Sequence, residues 1–270
     1  MPITGVTRVL AVVGDPIDGA RAPEALGAVM ADLDLDVVVI PVGIGADGLA
    51  GFVKAARSWR NLDGILVTMP HKAAMCELVD HLSAQARLTG AVNLVRRASD
   101  GELWGDQVDG EGFANSLTTR GFDLVGMNVV MLGSGSVARS IAFSLAAEGI
   151  ASLTIVNRSR ERALALVDDL DASFPALKSA VGDESAVATA DLLVNATSVG
   201  SIVQPGRPLN DLTLIRPGMI VADVIAKPVE TALLLAAADR GATTHGGDLM
   251  QKSQFRSIVG VSQGRSAERD

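Results

Sequence analysis

The segment VVMLGSGSVARSIAFSLAAEG, residues 129–149, decides the fold. It begins with an apolar run typical of a buried strand and continues, through a glycine-containing turn, into an alanine- and leucine-rich stretch typical of a helix. Gly133, Gly135 and Ala138 give this turn a G-x-G-x-x-A pattern. Such glycines let the backbone approach a pyrophosphate at a helix N-terminus, so the pattern predicts a dinucleotide-binding α/β domain. The same pattern also occurs at ordinary strand-to-helix turns.

The end of the next predicted strand bears on the choice of cofactor. A dinucleotide fold places the residue that reads the ribose about 20 residues after the glycines. The sequence has no acid there and reads instead Asn157, Arg158 and Ser159, followed by Arg160 and Arg162. Guanidinium and hydroxyl groups suit a 2'-phosphate, because arginine can bind it through two hydrogen bonds. We therefore predict NADP in preference to NAD. The alternative is a solvated helix face, which suits Arg160 better than Arg158.

Strands and helices alternate along the chain in two series. The first contains the apolar runs RVLAVVG at 8–14, DVVVIPVGI at 36–44 and GILVTMP at 64–70, and the second begins near Met127. Strands that are apolar throughout, with helices between them, indicate parallel sheets covered on both faces. A polar, glycine-containing segment at 96–112 separates the two series. The pattern therefore predicts two α/β domains.

Composition excludes several classes of protein. Lys and Arg total 23 against 31 Asp and Glu, a formal net charge of -8, which disfavours nucleic acid and anionic membranes as partners. A small-molecule partner is expected. The single cysteine, Cys76, and the three histidines provide neither an internal disulfide nor a zinc cluster, so we predict no metal. The N-terminus lacks a basic segment followed by a long apolar run, and we expect a cytoplasmic protein.

Polar side chains follow several predicted strands. Thr197 and Ser198 stand after the apolar run DLLVN, at the edge where open α/β sheets bind ligands, although their hydroxyls would also serve as loop caps. Thr68 and Lys72 follow another buried strand, and Asp109 stands where a helix is predicted to begin. A lysine held near a carboxylate can take the proton of a substrate hydroxyl as hydride leaves the carbon. On its own, a lysine near a helix start more often has no such role.

Taken in order, these segments resemble the shikimate/quinate dehydrogenase family over almost the whole chain. GDPIDGARAP at 14–23 is similar to the family's substrate loop, G-x-P-I-x-H-S-x-S-P, and VTMPHK at 67–72 to N-V-T-x-P-x-K. Further segments that resemble family motifs are GAVN at 90–93, DQVDG at 106–110, NRSRERA at 157–163, VNATSVG at 194–200 and GGDLMQKSQF at 246–255. The number of ordered matches makes the resemblance specific.

The resemblance implies roles for particular residues. Lys72 and Asp109 match the catalytic pair, and Thr68, Asn93 and Gln254 match substrate contacts. The implied cofactor contacts are Gly133, Ser134, Gly135, Ser136, Val137, Ala138, Asn157, Arg158, Ser159, Arg162, Thr197, Ser198, Val199, Gly200, Val224, Gly247 and Met250.

The resemblance also implies a fold and domain limits. The expected fold has two α/β domains with a cleft between them. The first is an N-terminal substrate-binding domain of residues 1–109, to which residues 248–270 return. The second is a Rossmann-type NADP-binding domain of residues 110–247.

The sequence departs from the family where the substrate is bound. Ala20 and Ala22 align with the two serines that hold the substrate carboxylate, Leu66 with an asparagine and Ala226 with a tyrosine. Each lost hydrogen bond to a charged or buried ligand group costs about 1.5–3 kcal/mol. We therefore expect a dehydrogenase with an altered substrate, such as another small cyclic hydroxy acid. Arg21 either supplies a new carboxylate contact or points to solvent.

Three functions stay open on the sequence. The first is an NADP-dependent alcohol dehydrogenase of this family with altered substrate choice. The second is a catalytically weak NADP(H)-binding sensor or regulatory protein, against which the presence of Lys72, Asp109 and Asn93 argues, since a sensor needs no proton relay. The third is ordinary shikimate dehydrogenation despite the alanines. Both a monomer and a homodimer are compatible with the sequence.

Overall fold

The computed structural model describes residues 2–262, and the chain divides into two compact units. Of the described residues, 2–108 and 255–262 form the first unit, and Asp109–Gln254 form the second. The part of the expected substrate-binding domain that comprises residues 263–270 lies outside the described residues. Each unit contains one six-stranded sheet. The predicted α/β fold class is therefore confirmed. No helix within residues 2–262 is long and apolar enough to span a membrane.

The first unit begins with two strand-helix repeats. Its strands are β1 (Arg8–Gly14), β2 (Val37–Gly43), β3 (Leu62–Val67), β4 (His81–Leu82), β5 (Leu94–Arg97) and β6 (Leu103–Asp106). Its helices are α1 (Ala22–Asp32), α2 (Leu49–Ser58) and α3 (Ala84–Thr89), with a 3-10 helix over Ala74–Glu77. The sequence placed Lys72 at a helix start. The residue lies in a turn just before the 3-10 helix, which stays short because the chain continues into β4 only a few residues later.

The sheet of the first unit has the order β2-β1-β3-β5-β6-β4. β1 pairs in parallel with β2 and β3, as predicted. The expectation of a wholly parallel sheet is wrong at β5, which pairs antiparallel with both β3 and β6. β5 and β6 are joined by a tight turn with Gly101 at a φ of 98°, and so short a connection permits only antiparallel pairing.

The second unit contains the remaining strands. These are β7 (Asn128–Leu132), β8 (Ser152–Val156), β9 (Lys178–Val181), β10 (Leu192–Asn195), β11 (Ile220–Asp223) and β12 (Thr243–His245). The helices are α4 (Asp109–Thr118), α5 (Ser136–Ala147), α6 (Arg160–Ser173), α7 (Ala232–Asp239) and α8 (Gly247–Ser262), with 3-10 helices over Glu184–Thr189 and Leu212–Leu214. The last residues of α8, from Phe255 on, belong to the first unit.

The sheet of the second unit is parallel throughout, in the order β12-β11-β10-β7-β8-β9. Numbered within the unit, this is the 3-2-1-4-5-6 order of a dinucleotide-binding fold. The order reverses between β7 and β10, so the loops that follow these two strands adjoin at the carboxyl edge of the sheet. Ligands of such folds bind at this switch point.

The cores follow from the alternation of side chains along each strand. Val9, Ala11 and Val13 of β1 pack into one cluster of the first unit, whereas Leu10 packs into the other with Leu26 of α1. In the second unit one cluster joins α4, α5 and α6 to the sheet, and another covers the opposite face with residues of β11 and α7. Burial on both faces explains why the strands are apolar throughout.

The boundaries of the two units differ slightly from the predicted ones. We placed Asp109 and residues 248–254 with the substrate-binding domain, but both belong to the second unit. The reason is local packing. Asp109 begins α4, whose Gly110 amide donates to the Ser140 hydroxyl of α5 at 2.8 Å. Met250 is buried in the core of the same unit, which holds the first part of α8 there.

Candidate functional site

The glycine turn after β7 has the geometry that its sequence predicts. Gly133 has a φ of 111°, which favours glycine, and its amide donates to the Val156 carbonyl at 2.9 Å. A Cβ at this position would lie 2.9 Å from the Ala196 carbonyl oxygen. Backbone conformation and close approach therefore both require glycine here.

The N-terminus of α5 follows directly. Its N-cap is Gly135, whose side-chain position is in open space and provides no cap for the first amides. Ser134 is half-buried, Ser136 is exposed, and Val137 packs against the core. Ala138 is fully buried, so its small side chain permits close packing of α5 on the sheet. An uncapped helix N-terminus with glycine at the turn fits a pyrophosphate.

The loop after β8 and the first turn of α6 present three arginines at the surface. The Asn157 amide donates to the Ser159 carbonyl at 2.9 Å, and the Ser159 hydroxyl caps α6 by accepting from the Arg162 amide at 3.4 Å. The side chains of Arg158, Arg160 and Arg162 are exposed. Among the described residues, none of these three guanidinium groups forms an ion pair or a hydrogen bond. They are therefore available to an anionic ligand.

A buried asparagine organises the loop after β10. Asn195 is fully buried, and its side-chain oxygen accepts from the Thr197 amide at 3.1 Å and from the Thr197 hydroxyl at 2.7 Å. Its amide donates to the Val199 carbonyl at 3.1 Å and to the Asp223 carboxylate at 3.0 Å. All the hydrogen bonds of this side chain are thus used to shape the loop that carries predicted cofactor contacts.

Asp223 connects this loop to the one after β11. Its carboxylate also accepts from the Ile225 amide at 3.0 Å and from the Thr231 hydroxyl at 2.8 Å. Burial raises the pKa of the Asp223 carboxyl above its ordinary value, against the lowering effect of these hydrogen bonds and that from Asn195. The buried carboxylate fixes two neighbouring loops at the switch point of the sheet.

The remaining predicted cofactor residues lie around these loops. Gly200 has a φ of 107° and donates to the Gln204 carbonyl at 2.8 Å, and the exposed Ser198 hydroxyl bonds the side chain of Gln204. A Cβ at Gly247 would lie under 3.0 Å from the Val224 carbonyl oxygen, so α8 begins against the loop after β11. Met250 is only 6% exposed and belongs to the core. Val224, in the loop after β11, packs against the same core cluster.

In the first unit, the loops after β1 and β3 pack closely. The Thr68 amide donates to the Val13 carbonyl at 2.9 Å, and the Asp15 amide donates to the Met69 carbonyl at 3.0 Å. A Cβ at Gly14 would lie under 3.0 Å from Thr68 Cγ2. The structure therefore brings the predicted substrate residue Thr68 beside the loop GDPIDGARAP.

A buried histidine anchors the turn that carries Lys72. The ring of His71 is 1% exposed and its Nε2 donates to the Ile44 carbonyl at 2.6 Å. The Lys72 carbonyl accepts from the Val92 amide at 2.8 Å, and the Cys76 thiol is 3.8 Å from the same oxygen. Lys72 itself is half-buried. Its backbone is fixed at both ends of the turn.

Asn93 ties the neighbouring segment to the end of the first sheet. Asn93 is 5% exposed. Its side-chain oxygen accepts a hydrogen bond from the Val108 backbone amide at 2.9 Å, and its backbone amide donates to the Asp106 carbonyl at 2.9 Å. The Asn93 carbonyl accepts from the Val67 amide at 2.8 Å. The predicted substrate residue thus also holds the chain where β6 ends.

The loop after β1 contributes few polar side chains. Ala20 and Ala22 are half-buried, and Arg21 between them is exposed and pairs with Glu24 at 3.3 Å. Leu66 of β3 packs against the apolar cluster that includes Leu10 and Leu26. Within residues 15–22, Arg21 is the only positively charged side chain.

Asp109 and Gln254 meet within the second unit. Asp109 is 7% exposed, and the Gln254 amide donates to its carboxylate at 2.8 Å. Gln254 also lies against Gly112, where a Cβ would be under 3.0 Å from its Cγ. Across residues 2–262, no group of three or more His, Cys, Asp or Glu side chains is placed to hold a metal ion.

Sequence reasoning missed Asp223, Thr231 and Gly112 as parts of these arrangements. A signal existed for Asp223, because a single carboxylate within the apolar run MIVADVI must be hydrogen-bonded if it is buried. Gly112 carries no such signal, since its constraint comes from a residue distant in the chain.

Comparison with known proteins identifies the family. The sequence matches the model of the shikimate dehydrogenase substrate binding domain over residues 12–95 and that of shikimate / quinate 5-dehydrogenase over residues 116–233. Shikimate dehydrogenase (NADP(+)) of Rhodospirillum rubrum is 38% identical over 247 residues, which cover 90% of this chain and 87% of that protein.

Two solved structures are similar over most of their length. Shikimate 5-dehydrogenase from Listeria monocytogenes, in complex with shikimate and NAD, matches with a TM-score of 0.90 at 29% identity, over 98% of this chain and 94% of that one. The 5-ketofructose reductase of Gluconobacter sp. strain CHM43 matches with a TM-score of 0.89 at 32% identity, over 96% and 94%. This chain therefore belongs to the shikimate/quinate dehydrogenase family, as its motifs predicted.

Proposed function

We propose that this protein is an NADP-dependent oxidoreductase that interconverts a hydroxyl and a ketone on a small cyclic hydroxy acid, with a substrate choice altered from that of shikimate dehydrogenase. The observation that carries the proposal is the combination, in the second unit, of an uncapped glycine turn before α5 with three available arginines after β8. Family membership supports the same chemistry, and the Rhodospirillum relative is named for NADP(+).

The residues of the second unit fit NADP. Gly135 leaves the first amides of α5 open to a pyrophosphate, and Arg158, Arg162 and Ser159 supply donors suited to a 2'-phosphate. The other proposed contacts are residues 197–200, Val224, Gly247 and Met250. When bound, NADP takes hydride from the carbinol carbon in the oxidation direction and returns it in the reduction.

Lys72 and Asp109 carry the acid-base part of the proposal. A lysine can take the proton of a hydroxyl as hydride leaves the carbon, and a carboxylate can accept a hydrogen bond from the same hydroxyl. The family resemblance assigns these two roles, and it assigns substrate contacts to Thr68, Asn93 and Gln254. A rigid backbone around Lys72, held through the buried ring of His71, supports such a role because a proton acceptor must be positioned before it reacts.

The altered substrate choice rests on the loop after β1. Ala20 and Ala22 replace the family's serines and offer no hydroxyl to a carboxylate, and Leu66 packs among apolar side chains. Losing several bonds of about 1.5–3 kcal/mol each would weaken shikimate binding by orders of magnitude. Arg21 is the remaining cation of this loop. An acidic substrate would have to compete with Glu24 for it.

A neutral keto-sugar or polyol is a second candidate substrate. The Gluconobacter relative, 32% identical to this chain, is named a 5-ketofructose reductase, so the family fold also occurs in a protein named for a keto-sugar. A substrate without a carboxylate needs no serine pair in the loop after β1. The alanines and the surface pairing of Arg21 with Glu24 are compatible with that class.

The test is a turnover assay that follows NADPH absorbance. Purified protein is supplied with NADP or NAD and a panel of shikimate, quinate, less hydroxylated cyclic acids and neutral polyols, and with NADPH and the matching ketones in the reverse direction. A Lys72→Ala variant is the blank. We expect turnover of a panel member other than shikimate, with NADP preferred over NAD.

Other outcomes would favour the alternatives. Shikimate turnover with a micromolar KM would show an ordinary shikimate dehydrogenase and reject the altered substrate choice. NADP binding without turnover of any panel member, together with unchanged biological activity of Lys72→Ala, would favour a sensor over an enzyme.

A further inference from the structure

We infer that Gly112 is a positioning residue: the missing side chain lets Gln254 lie across α4 and hold the Asp109 carboxylate. The inference rests on the proposed function, in which Asp109 contacts the substrate. It assigns a role to a position that carries no functional group of its own.

The geometry involves three residues of the second unit. Asp109 is the first residue of α4, Gly112 lies one turn later on the same helix, and Gln254 comes from α8. The Gln254 amide donates to Asp109 Oδ1 at 2.8 Å. Residues three apart on a helix share a face, so Gly112 lies beneath the path of the glutamine side chain to the carboxylate.

Gln254 is the nearest neighbour of the space beside Gly112. Outside the backbone of α4, the three atoms nearest to a Cβ at this position would all be Gln254 atoms. Cγ would lie under 3.0 Å away, Cδ 3.4 Å and Cβ 3.5 Å. Carbon atoms pack at about 3.5–4.0 Å, so the first of these distances is prohibitive. Cγ is the second carbon of the side chain, so it can move away from a new methyl only if the whole Gln254 side chain turns about its Cα–Cβ bond, which takes the amide with it.

Backbone conformation does not require glycine here. Gly112 is not among the glycines with positive φ, and a helix interior favours alanine over glycine. Gly110, on the same helix, differs because a Cβ there would strike the backbone carbonyl of Ser140. Glycine at 110 is therefore required by helix packing, whereas the close contact at 112 is with the side chain of Gln254.

The consequence for the proposed site is a fixed carboxylate. A hydrogen bond from Gln254 to one oxygen restrains rotation of the Asp109 carboxyl group. Displacing Gln254 would leave Asp109 in place on α4 but less well oriented.

The main test is a double-mutant cycle of Gly112→Ala and Gln254→Ala. Gly112→Ala should lower kcat about tenfold, with a smaller change in KM and an unchanged Kd for NADP, because the new methyl displaces Gln254. Added to Gln254→Ala, the same change should cost no further activity and should raise Tm by about 1–3 °C, as expected for alanine in a helix. Gly51→Ala is the matched control, because Gly51 lies in the first turns of α2 with open space around it.

A pH profile separates positioning from a merely structural role. Gln254→Glu keeps the size of the side chain but places a second carboxylate against Asp109, and two adjacent carboxylates repel when both are ionised. The ratio of the variant's kcat to the wild-type kcat should therefore fall about tenfold as pH rises from 5 to 8. A structural role alone would give a ratio independent of pH.

Three results would overturn the inference. These are wild-type kcat in Gly112→Ala, additive losses in the double variant, and a pH-independent ratio for Gln254→Glu. If the wild type turns over no panel member, the proposed function fails and the positioning role with it. The Tm values of the same cycle then still decide whether Gly112 and Gln254 are in contact.

Discussion

The loops that follow β1 and β10 occupy equivalent places at the ends of central strands, but they are built differently. After β10, the buried side chains of Asn195 and Asp223 fix the loop through hydrogen bonds to Thr197, Val199 and each other. After β1, the loop presents Ala20, Arg21 and Ala22, and the arginine pairs with an exposed glutamate. Buried polar side chains therefore hold the conformation of the loop after β10, whereas the side chains of residues 20–22 do not do so for the loop after β1.

This difference separates the two binding functions of the proposed activity, cofactor binding and substrate binding. The features expected of a cofactor site, namely the glycine turn, the arginines after β8 and the buried network, are all present in the second unit. The features by which the family holds a substrate carboxylate are missing from the first. Our proposal, that cofactor and chemistry are retained and the substrate differs, rests on this difference, and binding loops generally vary more than the scaffolds that carry them.

The largest expected effect is that of Lys72→Ala. Removing a proton acceptor typically costs 10²–10⁴-fold, so kcat should fall by about 10³-fold on whichever substrate is found. NADP binding, measured by protein fluorescence or calorimetry, should be unchanged because the proposed cofactor contacts all lie in the second unit. A loss of NADP affinity equal to the loss of rate would mean that Lys72 acts on the cofactor side.

The next effect concerns the choice between NADP and NAD. Arg158→Ala should reduce the preference for NADP by about 10–30-fold, mainly through the KM for NADP, because one charge-assisted contact to the 2'-phosphate is lost. Arg160→Ala is the matched control, since this side chain is also exposed and is expected to face solvent. Equal effects of the two variants would contradict a specific contact by Arg158.

The smallest effect concerns stability rather than function and involves His245 of the second unit. Its Nε2 donates to the Ser116 hydroxyl at 2.8 Å, and its Nδ1 accepts from the Arg120 guanidinium at 3.3 Å. Burial, followed by the charge of Arg120, lowers the pKa of His245 to about 4, against the opposing effect of Asp248. The folded protein therefore holds this ring neutral.

The sign of the pH dependence follows from that pKa. Below about pH 6.5 the unfolded chain takes up a proton on His245 that the folded protein does not, so the free energy of unfolding should fall by roughly 1–2 kcal/mol between pH 7 and pH 5. Above pH 7 this residue should contribute no slope. Urea unfolding of wild type and His245→Gln at both pH values checks this. An equal slope in the two proteins would contradict the assignment.

Much of the fold could be predicted because its strands and turns are marked by local sequence patterns. The run RVLAVVG coincides with β1, and the apolar runs of the second series coincide closely with β7, β8, β10 and β11. Strands buried on both faces are apolar throughout and bounded by glycine or polar residues, so the sequence alone marks them. The glycine turn was predictable for the same reason, since its geometry depends on adjacent residues.

The features that escaped prediction depend on residues distant in the chain. The antiparallel pairing of β5 was not evident from its half-polar sequence LVRR, and the constraint on Gly112 comes from α8. Arg21 illustrates the same limit within a loop. The sequence left open whether it contacts a ligand or points to solvent, and it did not reveal the exposed ion pair with Glu24. Local patterns predict backbone geometry, but they do not predict which side chains meet.

The most direct test of the central claim restores the family's serines to the loop after β1. In the Ala20→Ser/Ala22→Ser variant, two hydroxyl contacts to a carboxylate, at about 1.5–3 kcal/mol each, should raise kcat/KM for shikimate at least tenfold over wild type. Turnover of the protein's own substrate should fall or stay constant, and the preference for NADP should not change. If wild type already turns over shikimate with a micromolar KM, and the serines leave kcat/KM unaltered, the claim that this loop has changed its substrate is contradicted.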